Sequence, residues 1–273
     1  MAEMSDAMQI GVIGGGAMAE AMIAGLTAQE TITSPHIHVS EHKAARCDVL
    51  TAAYGVHAQV GADDFLPHIA VLILAVKPSA AAEAMQETAP LLHEGALVLS
   101  IVAGLPIAQI EAAYPGHPVI RAMPNTPLAV GAGMSAFACG MHAGAEERAY
   151  AARILGASGR IVEVREHDLD AVTGLSGSGP AYVFLMIEAL AEGGVAAGLG
   201  RETATMLAAQ TMLGAAQMAL ATKSSPADLR AAVTSPAGTT AAGLRILERE
   251  GVRSALIEAV LAAAERSREL GKN

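Results

Sequence analysis

Gln9-Ile10-Gly11-Val12-Ile13-Gly14-Gly15-Gly16-Ala17-Met18-Ala19-Glu20-Ala21-Met22-Ile23-Ala24-Gly25-Leu26 runs from an apolar stretch through a glycine cluster into an alanine-rich segment of helical character. It reads as strand, tight turn and helix. Gly14, Gly16 and Ala19 fit the spacing G-x-G-x-x-A. In that pattern the first glycine turns the chain, the second lets the backbone approach a pyrophosphate, and the third small residue lets helix and strand pack closely. The N–H groups that open the helix are then free to bind phosphate. The alternative is a bare glycine turn, since Gly and Ala are abundant in this chain.

Composition bounds the rest. A chain of 273 residues has room for one large or two ordinary domains. With 52% hydrophobic residues, 3% aromatic residues and no Trp, its core must be built mainly from Ala, Leu, Val, Ile and Met, which suits packed helices and buried parallel strands. A net charge of −10 argues against nucleic acid or an anionic membrane as a partner. Cys47 and Cys139 lack metal-type spacing and read as incidental free thiols, so no metal site is expected. The start, Met1 to Met8, is short and acidic, and no segment offers an uninterrupted membrane span. A soluble, cytoplasmic protein is expected.

Over residues 1–165 short apolar strands alternate with helical segments, the βαβ rhythm of a parallel sheet covered on both faces. His36 to Glu41 is a candidate second strand, and Glu41 stands about 20 residues past the glycine turn, where an acidic residue meets the ribose hydroxyls of NAD. His42, Lys43 and Arg46 follow and would instead suit the 2′-phosphate of NADP; a solvated helix start is the third reading. Val71 to Val76 is the clearest buried strand, and Leu97 to Val102 and Pro118 to Pro127 repeat the pattern. Ligands of open parallel sheets sit beyond the carboxyl ends of the strands. That rule puts Ala75, Val76, Lys77 and Pro78, and likewise Ile101, Val102 and Ala103, at a cofactor cleft.

From Asp168 strand signals vanish, and residues 166–273 read as an all-helical domain. Pro180 to Ala197 and Thr203 to Ala221 are apolar over most of their circumference, which calls for burial against a second subunit. Two loops, Ser176-Gly177-Ser178-Gly179-Pro180 and Ser235-Pro236-Ala237-Gly238-Thr239-Thr240, have the grammar of helix starts. Ser178, Ser235 and the N–H groups of Gly238, Thr239 and Thr240 would suit a small carboxylate.

Together, Gly14 to Ala19, Ala75 to Pro78, Arg121-Ala122-Met123-Pro124-Asn125-Thr126-Pro127, Ser176 to Tyr182 and Thr234 to Thr240 resemble the pyrroline-5-carboxylate reductases, in one order through nearly the whole chain. The resemblance implies the last step of proline synthesis. It also implies an α/β Rossmann-type domain binding NADPH or NADH, then an all-α dimerisation domain whose homodimers often assemble five to a ring. By the same resemblance Gly14, Gly15, Gly16, Ala17, Met18, Ala19 and Ala75 to Pro78 contact the cofactor. Glu166, Thr239 and Thr240 lie near the substrate. Some positions depart from the family's pattern: Glu41 stands where Ser or Thr is frequent, Ala62 where Asn is frequent and Lys223 where Glu is common. Ala237 replaces a usual glycine, a change tolerated at negative φ.

Reducing a cyclic imine needs a hydride on carbon and a proton on nitrogen, and solvent can supply that proton. Positioning therefore suffices, with the Thr240 hydroxyl near the imine nitrogen as the one catalytic group. A β-hydroxyacid dehydrogenase shares the two-domain plan, but the resemblance to that family requires a lysine on the helix after the glycine loop, where this chain has Ala181-Tyr182-Val183-Phe184-Leu185. A non-catalytic nucleotide-binding protein is the other alternative.

Overall fold

Strand β1 (Ile10–Ile13) is buried along its whole length, and the chain leaves it through Gly14, at φ +100°, to enter helix α1 (Ala17–Ala28). This start is seen in a computed structural model that describes residues 8–271; the rest of the acidic start, Met1 to Ala7, lies outside the described residues. The chain continues through β2 (Ile37–Ser40), α2 (Ala44–Tyr54), β3 (His57–Gln59), β4 (Val71–Leu74), α3 (Ala81–Thr88) and β5 (Leu97–Ser100). Next come α4 (Ile107–Ala113), β6 (Val119–Met123), β7 (Gly133–Cys139), α5 (Ala145–Gly156) and β8 (Gly159–Glu163).

These strands form one sheet in the order β3-β2-β1-β4-β5-β6-β7-β8. Its pairings are parallel except between β6 and β7, which run antiparallel, so the sheet is mixed rather than wholly parallel. A tight 3₁₀ turn, Thr126–Val130, makes that reversal possible where a helical crossover would have kept the strands parallel. Apolar runs without alternation follow from burial on both faces. On β4, Val71 and Ile73 enter one hydrophobic core while Leu72 and Leu74 enter the other.

Helix α1 lies close to the turn before β8. A Cβ added at Gly25 would stand 1.6 Å from the Ser158 hydroxyl, which is buried and has no hydrogen-bond partner among the described residues.

After β8 come α6 (Leu169–Val172), a π-helical turn (Thr173–Gly177), α7 (Gly179–Ala196), α8 (Arg201–Ala221), α9 (Pro226–Ala232), α10 (Thr239–Arg249) and α11 (Val252–Leu270). Two compact units divide the described residues. One runs to Ser178 and takes in Ala262 onward, while the other is Gly179–Leu261. The helical region therefore contributes to both. Leu169 is fully buried in the core of the first, where Ser267 also donates to Asp170 at 2.6 Å.

The second unit is almost coreless. Ala191, Ala204 and Ala208 make its one buried cluster, where α7 and α8 approach closely at Gly194. Phe184, Leu185, Met206 and Leu220 are each more than 60% exposed in the single chain.

Gly25→Ala should lower stability by about 1–3 kcal/mol, the usual cost of overpacking, read as a shifted denaturant midpoint. Adding Ser158→Ala removes the hydroxyl that the new methyl strikes and should recover part of the loss. A fully stable single variant would contradict this packing.

Candidate active site

The sheet order reverses at β1, whose neighbours are β2 on one side and β4 on the other, and a crevice opens beyond the strand ends at such a switch point. The glycine turn occupies that crevice. Gly14 donates its N–H to the Ser40 carbonyl at 2.8 Å, and a Cβ on Gly14 would lie 2.8 Å from the Ala75 carbonyl oxygen. Gly16 is different: a Cβ there would meet nothing within 4 Å, so the side of the turn facing the crevice is open. Glu20 makes the first bond of α1, to the Gly16 carbonyl. The N–H groups of Gly16, Ala17, Met18 and Ala19 are thereby left without an acceptor among the described residues, and a pyrophosphate fits that set.

Ala75 and Val76 are half-buried just past β4, Lys77 and Pro78 are exposed, and past β5 Val102 is buried between half-buried Ile101 and Ala103. The sequence-derived cofactor positions of this unit thus gather at one edge of the sheet.

A polar clamp holds the turn from behind. Arg46 donates from Nε to the Gly15 carbonyl at 2.8 Å and from Nη2 to Glu20 at 2.5 Å, and Tyr54 donates to the other Glu20 oxygen at 3.1 Å. The hydrogen bond from Arg46 holds the Glu20 carboxyl below the usual carboxylate range. Sequence reading offered Arg46 as a phosphate-binding cation but missed Glu20 and Tyr54. The signal was there in the pairing of an acid on the first helix with a base on the second.

Glu41, 8% exposed, turns inward: Oε2 accepts the Gly15 N–H at 2.9 Å and Oε1 the Lys43 N–H at 3.2 Å. His42 Nδ1 stands 2.9 Å from Oε1, and His167 Nε2 stands 3.2 Å from Asp168. These two histidine–carboxylate contacts join sequence neighbours, with both imidazoles largely exposed, and sequence reading did not foresee them. Neither cysteine is poised as a nucleophile, because burial raises the Cys47 thiol and pushes Cys139 up to about 11. No group of three or more metal-ligating side chains occurs among the described residues.

Glu166 belongs to the first unit, where Oε1 accepts the Ile107 N–H at 2.7 Å and lies 3.2 Å from Arg121 Nη1. It caps the start of α4, whose own flanking residue is Pro106.

The Ser176–Pro180 loop is not the capped helix start that its composition suggests. Val172 and Ser178 both keep helical dihedrals, and the chain passes from α6 to α7 through a wide turn closed by the Ser178 N–H on the Thr173 carbonyl at 2.8 Å. The reason is Pro180. It has no N–H to offer the Ser176 carbonyl four residues back, so that carbonyl accepts from Asn125 Nδ2 at 3.2 Å, as does the Ser176 hydroxyl. Asn125 also accepts the Met134 N–H at 2.8 Å, and it has no role in the sequence reading. Ser178 therefore offers no set of free helix-start N–H groups.

In the second unit, Ser235 to Gly238 forms the turn before α10. The Gly238 N–H is spent on the Ser235 carbonyl at 3.1 Å, which removes Gly238 from the expected set of carboxylate donors. Ala242 makes the first bond of α10, to the Gly238 carbonyl, and so Thr239, Thr240 and Ala241 present the unpaired N–H groups. The Thr239 and Thr240 hydroxyls bond to no described residue, whereas that of Thr234 donates to the Arg230 carbonyl at 2.6 Å. Ala237 sits at φ +56°, in the left-handed region, so the condition under which alanine would replace glycine freely is not met.

A sheet whose order reverses at a glycine-rich turn, with N–H groups left open at the start of the next helix, is the plan of a Rossmann-type dinucleotide-binding fold, and a helical region follows it. Family profiles agree with that class: residues 9–104 match one described as "NADP oxidoreductase coenzyme F420-dependent", and residues 166–270 match pyrroline-5-carboxylate reductase dimerisation. The chain is 49% identical to the pyrroline-5-carboxylate reductase of a Synechocystis strain, over 97% of its own length and 99% of the relative's. A solved pyrroline-5-carboxylate reductase from Coxiella burnetii superposes with a TM-score of 0.90 at 36% identity, covering 98% of this chain and all of that one. The Plasmodium falciparum enzyme, solved with NADP bound, gives 0.87 at 30% identity, covering 97% of this chain and 98% of that one. The chain belongs to the pyrroline-5-carboxylate reductase family.

Ala237→Gly should stabilise the protein by about 1 kcal/mol, since a left-handed alanine costs roughly 1–2 kcal/mol and glycine returns part of that as unfolded-chain entropy. Thermal unfolding at fixed protein concentration checks it. A lower melting temperature would show that the neighbours of Ala237 relieve the strain.

Proposed function

We propose that this chain reduces pyrroline-5-carboxylate to L-proline with a reduced nicotinamide dinucleotide, NADPH or NADH, closing proline biosynthesis. The observation that carries the reading is identity of 49% to a pyrroline-5-carboxylate reductase over nearly the full length of both chains. The open cradle at Gly16 supports a dinucleotide, and the P. falciparum relative was solved with NADP. A reduced nicotinamide supplies the hydride. This chain's residues bind and orient: Gly16 to Ala19 take the pyrophosphate, and Thr239, Thr240 and Ala241 take the substrate carboxylate through backbone N–H groups. The Thr240 hydroxyl is assigned to the imine nitrogen, and solvent delivers the proton.

The same reading makes the protein a homodimer through Gly179–Leu261, with five dimers as a further assembly. Support comes from the dimerisation profile and from the uncovered Phe184, Leu185, Met206 and Leu220. No helix among the described residues is long and apolar enough to cross a membrane, and a cytoplasmic location belongs to the proposal.

NAD(P)H oxidation with pyrroline-5-carboxylate tests the activity, and turnover of a β-hydroxyacid instead would reject it. Thr240→Val keeps the side-chain shape and should lower kcat/KM about 10–200-fold, as expected for loss of a ~1.5–3 kcal/mol hydrogen bond to a charged group, with cofactor affinity unchanged. Thr239→Val should do less. Wild-type kcat/KM in Thr240→Val would remove the hydroxyl from the mechanism.

Assembly has its own test. Sedimentation of the full chain at nanomolar concentration should show a dimer or larger, and an active monomer there would contradict the dimeric reading.

A further inference from the structure

Negative charge gathers beyond the carboxyl ends of β1 and β2, and at Glu41 it is held in a fixed position. Glu41 closes β2 with its carboxylate 8% exposed and pinned at both oxygens, by the Gly15 N–H at 2.9 Å and the Lys43 N–H at 3.2 Å. It cannot swing aside without giving up both bonds and leaving the Gly15 N–H unpaired. A cavity of about 390 Å³ opens at the carboxyl ends of β1 and β2, lined by Ile13 and Ser40 and faced by Asp63 and Glu87; Glu41 follows Ser40 directly and stands beside this cavity rather than in its lining. No Lys or Arg lines it.

The cations that follow Glu41 in sequence are not arranged for a phosphate. Arg46 is spent on the Gly15 carbonyl and on Glu20. His42 leans onto Glu41 itself, with Nδ1 2.9 Å from Oε1. Lys43 is exposed at the start of α2. A carboxylate accepts hydrogen bonds from ribose hydroxyls, but a 2′-phosphate brings only acceptors and negative charge.

We propose that Glu41 makes this site selective for NADH over NADPH, by accepting the free 2′-hydroxyl of the adenosine ribose and repelling a phosphate there. This rests on the dinucleotide-site reading above and narrows it to one nucleotide. It sets this chain apart from its P. falciparum relative, which was solved with NADP. The acid acts by exclusion as much as by attraction, a familiar route to specificity.

The test is direct binding of NADH and of NADPH to the full-length protein by calorimetry, without substrate, alongside kcat/KM with each nucleotide. The wild type should bind NADH at least tenfold more tightly than NADPH. Glu41→Gln, which keeps size and one acceptor oxygen for the Gly15 N–H but removes the charge, should shrink that ratio about tenfold, and Glu41→Ser at least as much, the melting temperature of each variant verifying that it is folded. Equal or tighter NADPH binding by the wild type overturns the proposal. So does an NADH preference that survives both Glu41 substitutions. If NADH binds selectively but pyrroline-5-carboxylate is not reduced, the functional reading fails and the selectivity stands; if it is reduced best with NADPH, the reverse holds.

Discussion

The nucleotide half of the molecule depends on one close approach, that of the backbone at Gly14 to the carbonyl end of β4. At Gly14 the backbone takes φ +100° and passes so near the Ala75 carbonyl that any Cβ would sit 2.8 Å from its oxygen. That proximity lets β1 end, turn and enter α1 within three residues while β4 runs alongside. It also brings the Gly15 N–H to Glu41 and the Gly15 carbonyl to Arg46, so the acid closing β2 and the base on α2 hold the turn from opposite sides. The turn is therefore braced by the protein itself, and if it takes the phosphates as proposed, the ordering cost is met in folding rather than in binding.

The sequence is most informative where a single local rule decides the outcome. Buried β4 and β5 show as unbroken apolar runs because both of their faces pack into cores, and α7 and α8 show as long apolar helices for the same lack of competing signals. β3, β7 and β8 are harder to see. β3 is a three-residue edge strand, and β7, Gly-Met-Ser-Ala-Phe-Ala-Cys, is made of small residues with weak strand preference that pair only because β6 lies beside them. The antiparallel reversal between β6 and β7 is set by the Thr126–Val130 turn, which periodicity does not register.

Within the site the same division holds. Gly14, Gly16 and Ala19 announce themselves by spacing. Loop chemistry misleads where hydrogen bonds are decided elsewhere: Ser176 to Pro180 has the composition of a helix start, yet one missing N–H at Pro180 and one amide at Asn125, more than fifty residues away, turn it into a continuous π-turn. Asn125 is adjacent to Pro124 and Thr126 in a stretch that reads as a strand end, and nothing local says that its side chain completes a helix. Gly238 is similar, since its N–H looks free in the sequence and is consumed by the turn that positions Thr239 and Thr240.

The second unit raises a different constraint. Its one buried cluster is a few alanines with half-buried Ile187 and Val195 packed on them, little apolar burial against the entropy of ordering more than four helical turns each in α7 and α8. Its stability must come from surface that is uncovered in the single chain. If a second copy covers it, folding of this unit and assembly become one equilibrium, and apparent stability rises with protein concentration. The first unit differs, with two hydrophobic cores and a sheet whose central strands β1, β4, β5 and β6 are buried along their whole length. One chain thus joins a glycine turn braced within the first unit to a helical unit whose apolar side chains lie uncovered in the single chain. The N–H groups and hydroxyls at the start of α10 lie on that second unit, so if a second copy completes it, whatever they bind is tied to the state of assembly.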